Sequence, residues 1–169
     1  ISSVMILIVT REDIERNDPA AYQVLSEPDL SGHRSANGPH SRFTNLRIPA
    51  FNVLAEPGQG AQVVEKTFGM SAAIVGAMCV GVMRHAFEAA LAFCKSDDRG
   101  GCAPIIQHQA VADRLIEVKV KIEAARALTW RAMSVIESKD PSITWEQRLE
   151  LALEAKIFAG DAAPKAVLE

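Results

Sequence analysis

The spacing of apolar and polar positions changes rhythm along this chain. Ser3 to Thr10 is a continuous apolar run, VMILIV at its heart. It predicts a strand covered on both faces, with a short buried helix as the alternative. Arg11 to Asn37 is polar and carries Pro19, Pro28 and Gly32, which predicts a surface connection with one helical turn near Asp13 to Arg16. From Ser41 the text RFTNLRIP alternates, with Thr44, Leu46 and Ile48 on one face and Phe43, Asn45 and Arg47 on the other. Period two closed by Pro49 predicts a strand that stops there. Asn52, Pro57, Gly58 and Gly60 then predict a turn-rich linker.

At Gly60 the period becomes helical. Val64, Phe68, Met70, Ile74, Met78 and Val82 recur at helical spacing through Gly60 to Lys95, and Ser71, Ala72, Ala73, Gly76, Ala77 and Gly81 keep its centre small. This predicts a central, buried helix. After a loop from Ser96 to Pro104, a second helix is expected from about Ile106 to Ser138. Its buried side is drawn from Val111, Leu115, Ile116, Val118, Ile122, Ala125, Leu128, Thr129, Met133 and Ile136. Lys139, Asp140 and Pro141 end it, and Thr144 with Gln147 forms a capping box for a third helix. That helix carries Trp145, Leu149, Leu153, Ile157 and Phe158 on one side, and Pro164, near Gly160, is expected to kink it. Trp130, Trp145 and the methionines read as core filling.

The fold class that follows is mainly α, an up-down helical bundle preceded by a short β-segment. A fourth helix would complete the bundle. The domain boundary falls between Pro49 and Gly60, separating 1–55 from 56–169. The chain opens on Ile inside an apolar run and closes within a helical pattern, so a segment of a longer protein is expected.

Composition narrows the function classes. Hydrophobic residues at 49% with 23% charged fit a globular chain and not a disordered one. A net charge of −3 offers no electrostatic case for nucleic acid. The central helix is long enough to span a bilayer, but Lys66, Arg84, His85 and Glu88 interrupt it, so no membrane partner is expected. Three cysteines, Cys79, Cys94 and Cys102, form no CxxC pair and suit a reducing, intracellular and soluble setting.

Chemistry-bearing motifs are few. His33, His40, His85 and His108 lack ligand spacing with Cys or carboxylate partners, so no metal site is expected, and GxSxG, Walker and GxGxxG patterns are missing. One cluster stands out: Arg99-Gly100-Gly101 followed by His108-Gln109. Glycines let backbone amides approach a ligand, Arg99 offers a forked cation, and a helix start attracts anions, so a pyrophosphate would suit this corner. A solvated turn arginine is the plain alternative. Ser71, inside an apolar helix, either bonds back to a carbonyl one turn earlier or hydrogen-bonds a buried carboxylate and holds it ionised.

The order of strand, LRIPAFNVLAEPGQG turn, small-residue helix, arginine loop and His-Gln-led helix resembles the middle and C-terminal domains of the acyl-CoA dehydrogenase superfamily, from about Val4 to the end. Within it, GPHSRFTNLRIP, FGMSAAIVGAM, KSDDRGG and IIQHQAVADRLI are similar to the branch that oxidises nitroalkanes. Ordinary dehydrogenases tend to carry an Arg-Gln-Phe-Gly loop, a Phe-Gln pair where His108-Gln109 stands, and an acidic or glycine residue before an arginine where Ser71-Ala72 stands.

The resemblance implies a β-barrel-like middle domain, a bound FAD, a small-molecule substrate, and a homotetramer in which Arg99, His108 and Gln109 reach the FAD of a neighbouring subunit. It also implies that Ser71 lies beside a catalytic aspartate situated after Glu169. Two alternatives stay open at this point. One is an acyl-CoA dehydrogenase, marked by a glutamate base; the other is a non-catalytic helical assembly domain, marked by absence of FAD from the full-length protein.

Overall fold

The computed structural model describes residues 3–30, 32, 34–36 and 38–168. It divides into two compact units, Ile1–Val64 and Glu65–Glu169.

In the first unit the apolar run forms only a two-residue strand, β1 (Ile6–Leu7), antiparallel to β4 (Val53–Ala55). The run is exposed on its edges and not covered on both faces, because a two-stranded ladder has no second layer to bury it. The linker expected around Asn52 therefore contains a strand. The polar connection is also more structured than its composition suggests. Helix α1 (Arg11–Glu15) starts at a capping box in which Thr10 and Asp13 exchange hydrogen bonds, and β2 (Tyr22–Ser26) pairs with β3 (His40–Phe43). β3 ends at Phe43, well before Pro49, because Asn45 turns the backbone into the left-handed region at φ 52°.

A buried carboxylate ties this unit together. Oδ2 of Asp13 accepts from the Thr10 amide at 2.9 Å, the Thr10 hydroxyl at 2.7 Å and Asn52 Nδ2 at 2.7 Å. Asn52 Nδ2 also donates to the Ile8 carbonyl at 2.9 Å. The Thr10 hydroxyl, then its amide, hold the Asp13 carboxyl below the usual carboxylate range, against the opposing effect of burial.

Three long helices follow: α2 (Gly60–Ser96), α3 (Gln109–Glu137) and α4 (Trp145–Leu168). Within the second unit, Ala72 and Ala73 of α2 meet Ala132 of α3 and Ala152 and Ala155 of α4. Further along, Met83 meets Ile122 and Ala125 of α3 and Ala159, Ala162 and Ala163 of α4. The order of these contacts makes α3 antiparallel to both neighbours, the expected up-down arrangement. The expected capping box opens α4, with the Thr144 amide donating to Gln147 Oε1 at 2.9 Å and the Gln147 amide to Thr144 Oγ1 at 3.3 Å. Arg148 closes the α3–α4 connection by donating to the carbonyls of Val135 and Ile136, which lie in the last turn of α3 where helical donors run out.

The buried face differs from the expected one. The bundle is seamed by alanines, while Phe68, Ile74, Val82, Ile116, Ile157 and Trp130 are exposed, Trp130 at 71%. Trp130 is thus not core filling within this chain, and Leu153, Ile157 and Phe158 do not form the buried side of α4. An alanine methyl contributes roughly 0.8 kcal/mol on burial, so this seam gains from close backbone approach and not from bulk. Pro164 lies inside α4, which continues as helix to Leu168. The carbonyl that Pro164 leaves without a donor belongs to Gly160, where the backbone has most freedom to adjust.

Candidate functional site

The candidate anion corner is built where α2 ends and α3 begins. The Asp97 amide donates to the Phe93 carbonyl at 3.0 Å, continuing the last turn of α2 into the loop. Asp97 Oδ1 then accepts the Arg99 amide at 2.7 Å, and Asp98 Oδ1 accepts the Gly100 amide at 2.9 Å. These bonds hold two successive residues in the left-handed region, Arg99 at φ 51° and Gly100 at φ 77°. For glycine this conformation is ordinary, whereas in arginine the Cβ crowds the following carbonyl, so the two aspartates are what keep Arg99 there. The Ile105 amide donates back to the Asp97 carbonyl at 2.9 Å and shuts the loop.

Arg99 projects a largely exposed side chain from this loop. Its guanidinium carbon lies 4.9 Å from the centre of the Phe93 ring, and its Nε lies 3.6 Å from Asp97 Oδ1. His108 and Gln109 are a short step onward. A 3₁₀ turn (Ile105–Gln107) precedes α3, so His108 is the N-cap of that helix and Gln109 its first residue, two to three residues later than the helix start read from the sequence. His108 makes no side-chain capping bond, while its carbonyl accepts the amides of Val111 and Ala112, both at 3.0 Å. Both side chains are exposed. A positive helix end and a pinned guanidinium thus share one loop, a combination suited to a phosphate or pyrophosphate.

An apolar cleft of about 510 Å³ lies between α2, α3 and α4, with Phe87, Cys94, Ile105, Leu115 and Val118 in its walls. Its Ile105 end adjoins the loop that carries Arg99. Among the described residues no three His, Cys, Asp or Glu side chains converge as a metal site; His33 lies outside the described residues.

Ser71 lies in the first half of α2, about three turns in from Gly60. It is half-buried, on the margin between the sealed pair Ala72–Ala73 and the exposed Met70 and Ile74. Its hydroxyl donates to the Phe68 carbonyl at 3.2 Å, the back-bond of an ordinary helix serine. At 1.5 Å rise per residue, Ser71 and Ser96 stand roughly 37 Å apart along α2. One chain therefore does not bring Ser71 and the Arg99 loop to a common point. Sequence reading missed Phe93 and Asp97 as the supports of Arg99. The Asp-Asp-Arg-Gly-Gly text signalled the turn, but nothing in it signalled the ring beneath.

Comparison with known proteins shows the family. The family model for the acyl-CoA dehydrogenase C-terminal domain matches residues 58–169. The chain belongs to the acyl-CoA dehydrogenase family. Nitroalkane oxidase of Fusarium oxysporum is 47% identical over 169 residues, covering 99% of this chain and 38% of that protein. The structure of Podospora anserina nitroalkane oxidase superposes with a TM-score of 0.90 at 50% identity, covering 98% of this chain and 38% of that one. An active-site serine-to-alanine variant of nitroalkane oxidase, crystallised with 1-nitrohexane, superposes with a TM-score of 0.91 at 47% identity, covering 99% of this chain and 39% of that one. The chain thus spans about two fifths of the length of these acyl-CoA dehydrogenase family members.

Proposed function

We propose that the full-length protein is an FAD-dependent nitroalkane oxidase, converting a nitroalkane to an aldehyde or ketone with release of nitrite and hydrogen peroxide. The observation that carries this reading is identity of 47–50% to nitroalkane oxidases along 98–99% of the chain. On this reading residues 1–55 belong to the C-terminal part of the middle β-domain, and 56–169 to an incomplete helical domain. The protein is intracellular and soluble.

The residues present suit a flavin dinucleotide in two places. Arg99, held by Asp97 and Phe93, would hold the pyrophosphate with its planar fork, and the start of α3 at His108 and Gln109 would add amide donors and a positive dipole end. Bound FAD supplies a two-electron acceptor that dioxygen can reoxidise. The Arg99 loop stands roughly 37 Å from Ser71 along α2, and this reading assigns the two to different flavins. A homotetramer built from dimers satisfies this, with the Arg99 corner of one subunit completing the cofactor site of another. The exposed apolar stripe of α2 and α3 supplies surface for such an interface.

Ser71 acts on the proton transfer. Its hydroxyl turns from the Phe68 carbonyl, a long bond at 3.2 Å, to donate to the carboxylate of an aspartate that follows this segment. A donor there favours the ionised carboxylate and fixes its aim at the carbon-bound proton beside the nitro group.

The test is turnover by the purified full-length protein loaded with FAD. Nitrite and hydrogen peroxide from 1-nitrohexane, with no oxidation of butyryl-CoA, are expected. Oxidation of the thioester without turnover of the nitroalkane would instead make it an acyl-CoA dehydrogenase, and failure to bind FAD would leave a helical assembly domain.

A further inference from the structure

We propose that Phe93 is a positioning residue for cofactor binding, holding the Arg99 guanidinium in its phosphate-ready orientation. The inference rests on the assignment of Arg99 to FAD made above.

Phe93 occupies the last turn of α2, and the loop that follows doubles back so that Arg99 returns over it. The guanidinium carbon lies 4.9 Å from the ring centre, inside the range of a cation–π contact. Phe93 belongs to neither buried cluster of the bundle and is itself 43% exposed, so core packing does not account for a phenyl ring here. A phenyl ring offers no oxygen or nitrogen acceptor, so this contact leaves the terminal N–H donors of Arg99 to a phosphate, while Nε lies 3.6 Å from Asp97 Oδ1.

Asp97 thus reaches both the main chain and Nε of Arg99, and Phe93 acts on the side chain alone. Asp97 and Asp98 accept the amides of Arg99 and Gly100 and set the left-handed turn, and the Phe93 ring then limits where the guanidinium can swing. An arginine on an exposed loop otherwise loses most of its rotamer freedom on closing over an anion, and prior restraint reduces that loss.

The test measures FAD affinity of the full-length enzyme by equilibrium flavin fluorescence, with the melting temperature of the flavin-free protein as a second readout. Phe93→Leu is expected to weaken FAD binding about two- to fivefold, the size of an exposed cation–π contact. Phe93→Tyr, which keeps the ring, should restore wild-type affinity, and Phe93→Met stands in if Leu impairs assembly. In an Arg99→Ala background, removing the ring should cost no further affinity. An equal loss in both backgrounds, or normal affinity in Phe93→Leu while Arg99→Ala is weakened, overturns the role of Phe93. Normal FAD affinity in Arg99→Ala itself overturns the underlying assignment of Arg99.

Discussion

Thr129 of α3 fills the notch left by Gly76 of α2: a methyl group built on Gly76 would stand 2.7 Å from Thr129 Oγ1 and 3.5 Å from the Ala155 carbonyl of α4. Gly76 is therefore the point of close approach for all three long helices. Neither obstacle yields easily, since Thr129 is β-branched and buried, and Ala155 O is main chain. Gly76→Ala should destabilise the protein by about 1–3 kcal/mol, overriding the gain of roughly 1 kcal/mol that alanine brings to a helix. Gly69 makes the control. A methyl there would meet side chains alone, the flexible tip of Leu149 at 2.6 Å and the edge of the Trp145 ring at 3.3 Å, and Gly69→Ala should cost less than Gly76→Ala in chemical denaturation. Equal stability of the two variants would show that the helices can part at Gly76.

Ser71→Ala should slow proton abstraction from a neutral nitroalkane by roughly ten- to a hundredfold, the loss of one charge-assisted hydrogen bond of about 1.5–3 kcal/mol. A preformed nitroalkane anion needs no base and should react almost as before. Stopped-flow flavin reduction with both substrate forms separates the two steps. Unchanged abstraction would leave Ser71 with its bond to the Phe68 carbonyl as its whole role.

Acid should loosen the first unit through Asp13. Its folded pKa lies below its unfolded value, chiefly because of the Thr10 hydroxyl and amide. The stabilisation is therefore complete above the unfolded value of about 3.9 and fades as pH falls through the depressed folded value. The protection of the Thr10 amide against hydrogen exchange, measured relative to the unfolded rate at each pH, should fall across that window in the wild type. In Asp13→Asn, exchange should be faster at neutral pH and lose this acid dependence.

The full-length protein should sediment as a homo-oligomer at micromolar concentration, with Trp130, Phe68 and Ile157 covered. In this chain they are 71%, 68% and 69% exposed, too much apolar surface on neighbouring helices to leave in water. A monomer with red-shifted tryptophan emission would contradict this.

On the proposed reading these 169 residues alone should turn over no nitroalkane even with FAD added, since that reading puts the aspartate base and half of the flavin cavity outside them. Nitrite release by the piece would place the base within these residues.

Much of the architecture could be read from the chain itself. The Thr144–Gln147 cap and the turn at Arg99 are local events, set by backbone freedom and by hydrogen bonds between residues three or fewer apart. The start of α2 is marked by its glycines even though the Gly60 amide is held by the distant Val4 carbonyl. The candidate residues of the site were legible for the same reason, being marked by side-chain chemistry and turn type. The face of each helix that turns inward was not. Large apolar residues at helical spacing declare that a face must be covered, without saying by what. Only tertiary packing chose the alanine seam, because backbones approach most closely where side chains are smallest, leaving Trp130 and Phe68 outward. The short strands β2 and β4 escaped notice because their pairing comes from partners distant along the chain, such as Phe43 for Tyr22 and Ile6 for Ala55, and not from a pattern of their own. The ring of Phe93 under Arg99 belongs to the same class, a contact created when the chain reverses at the end of α2.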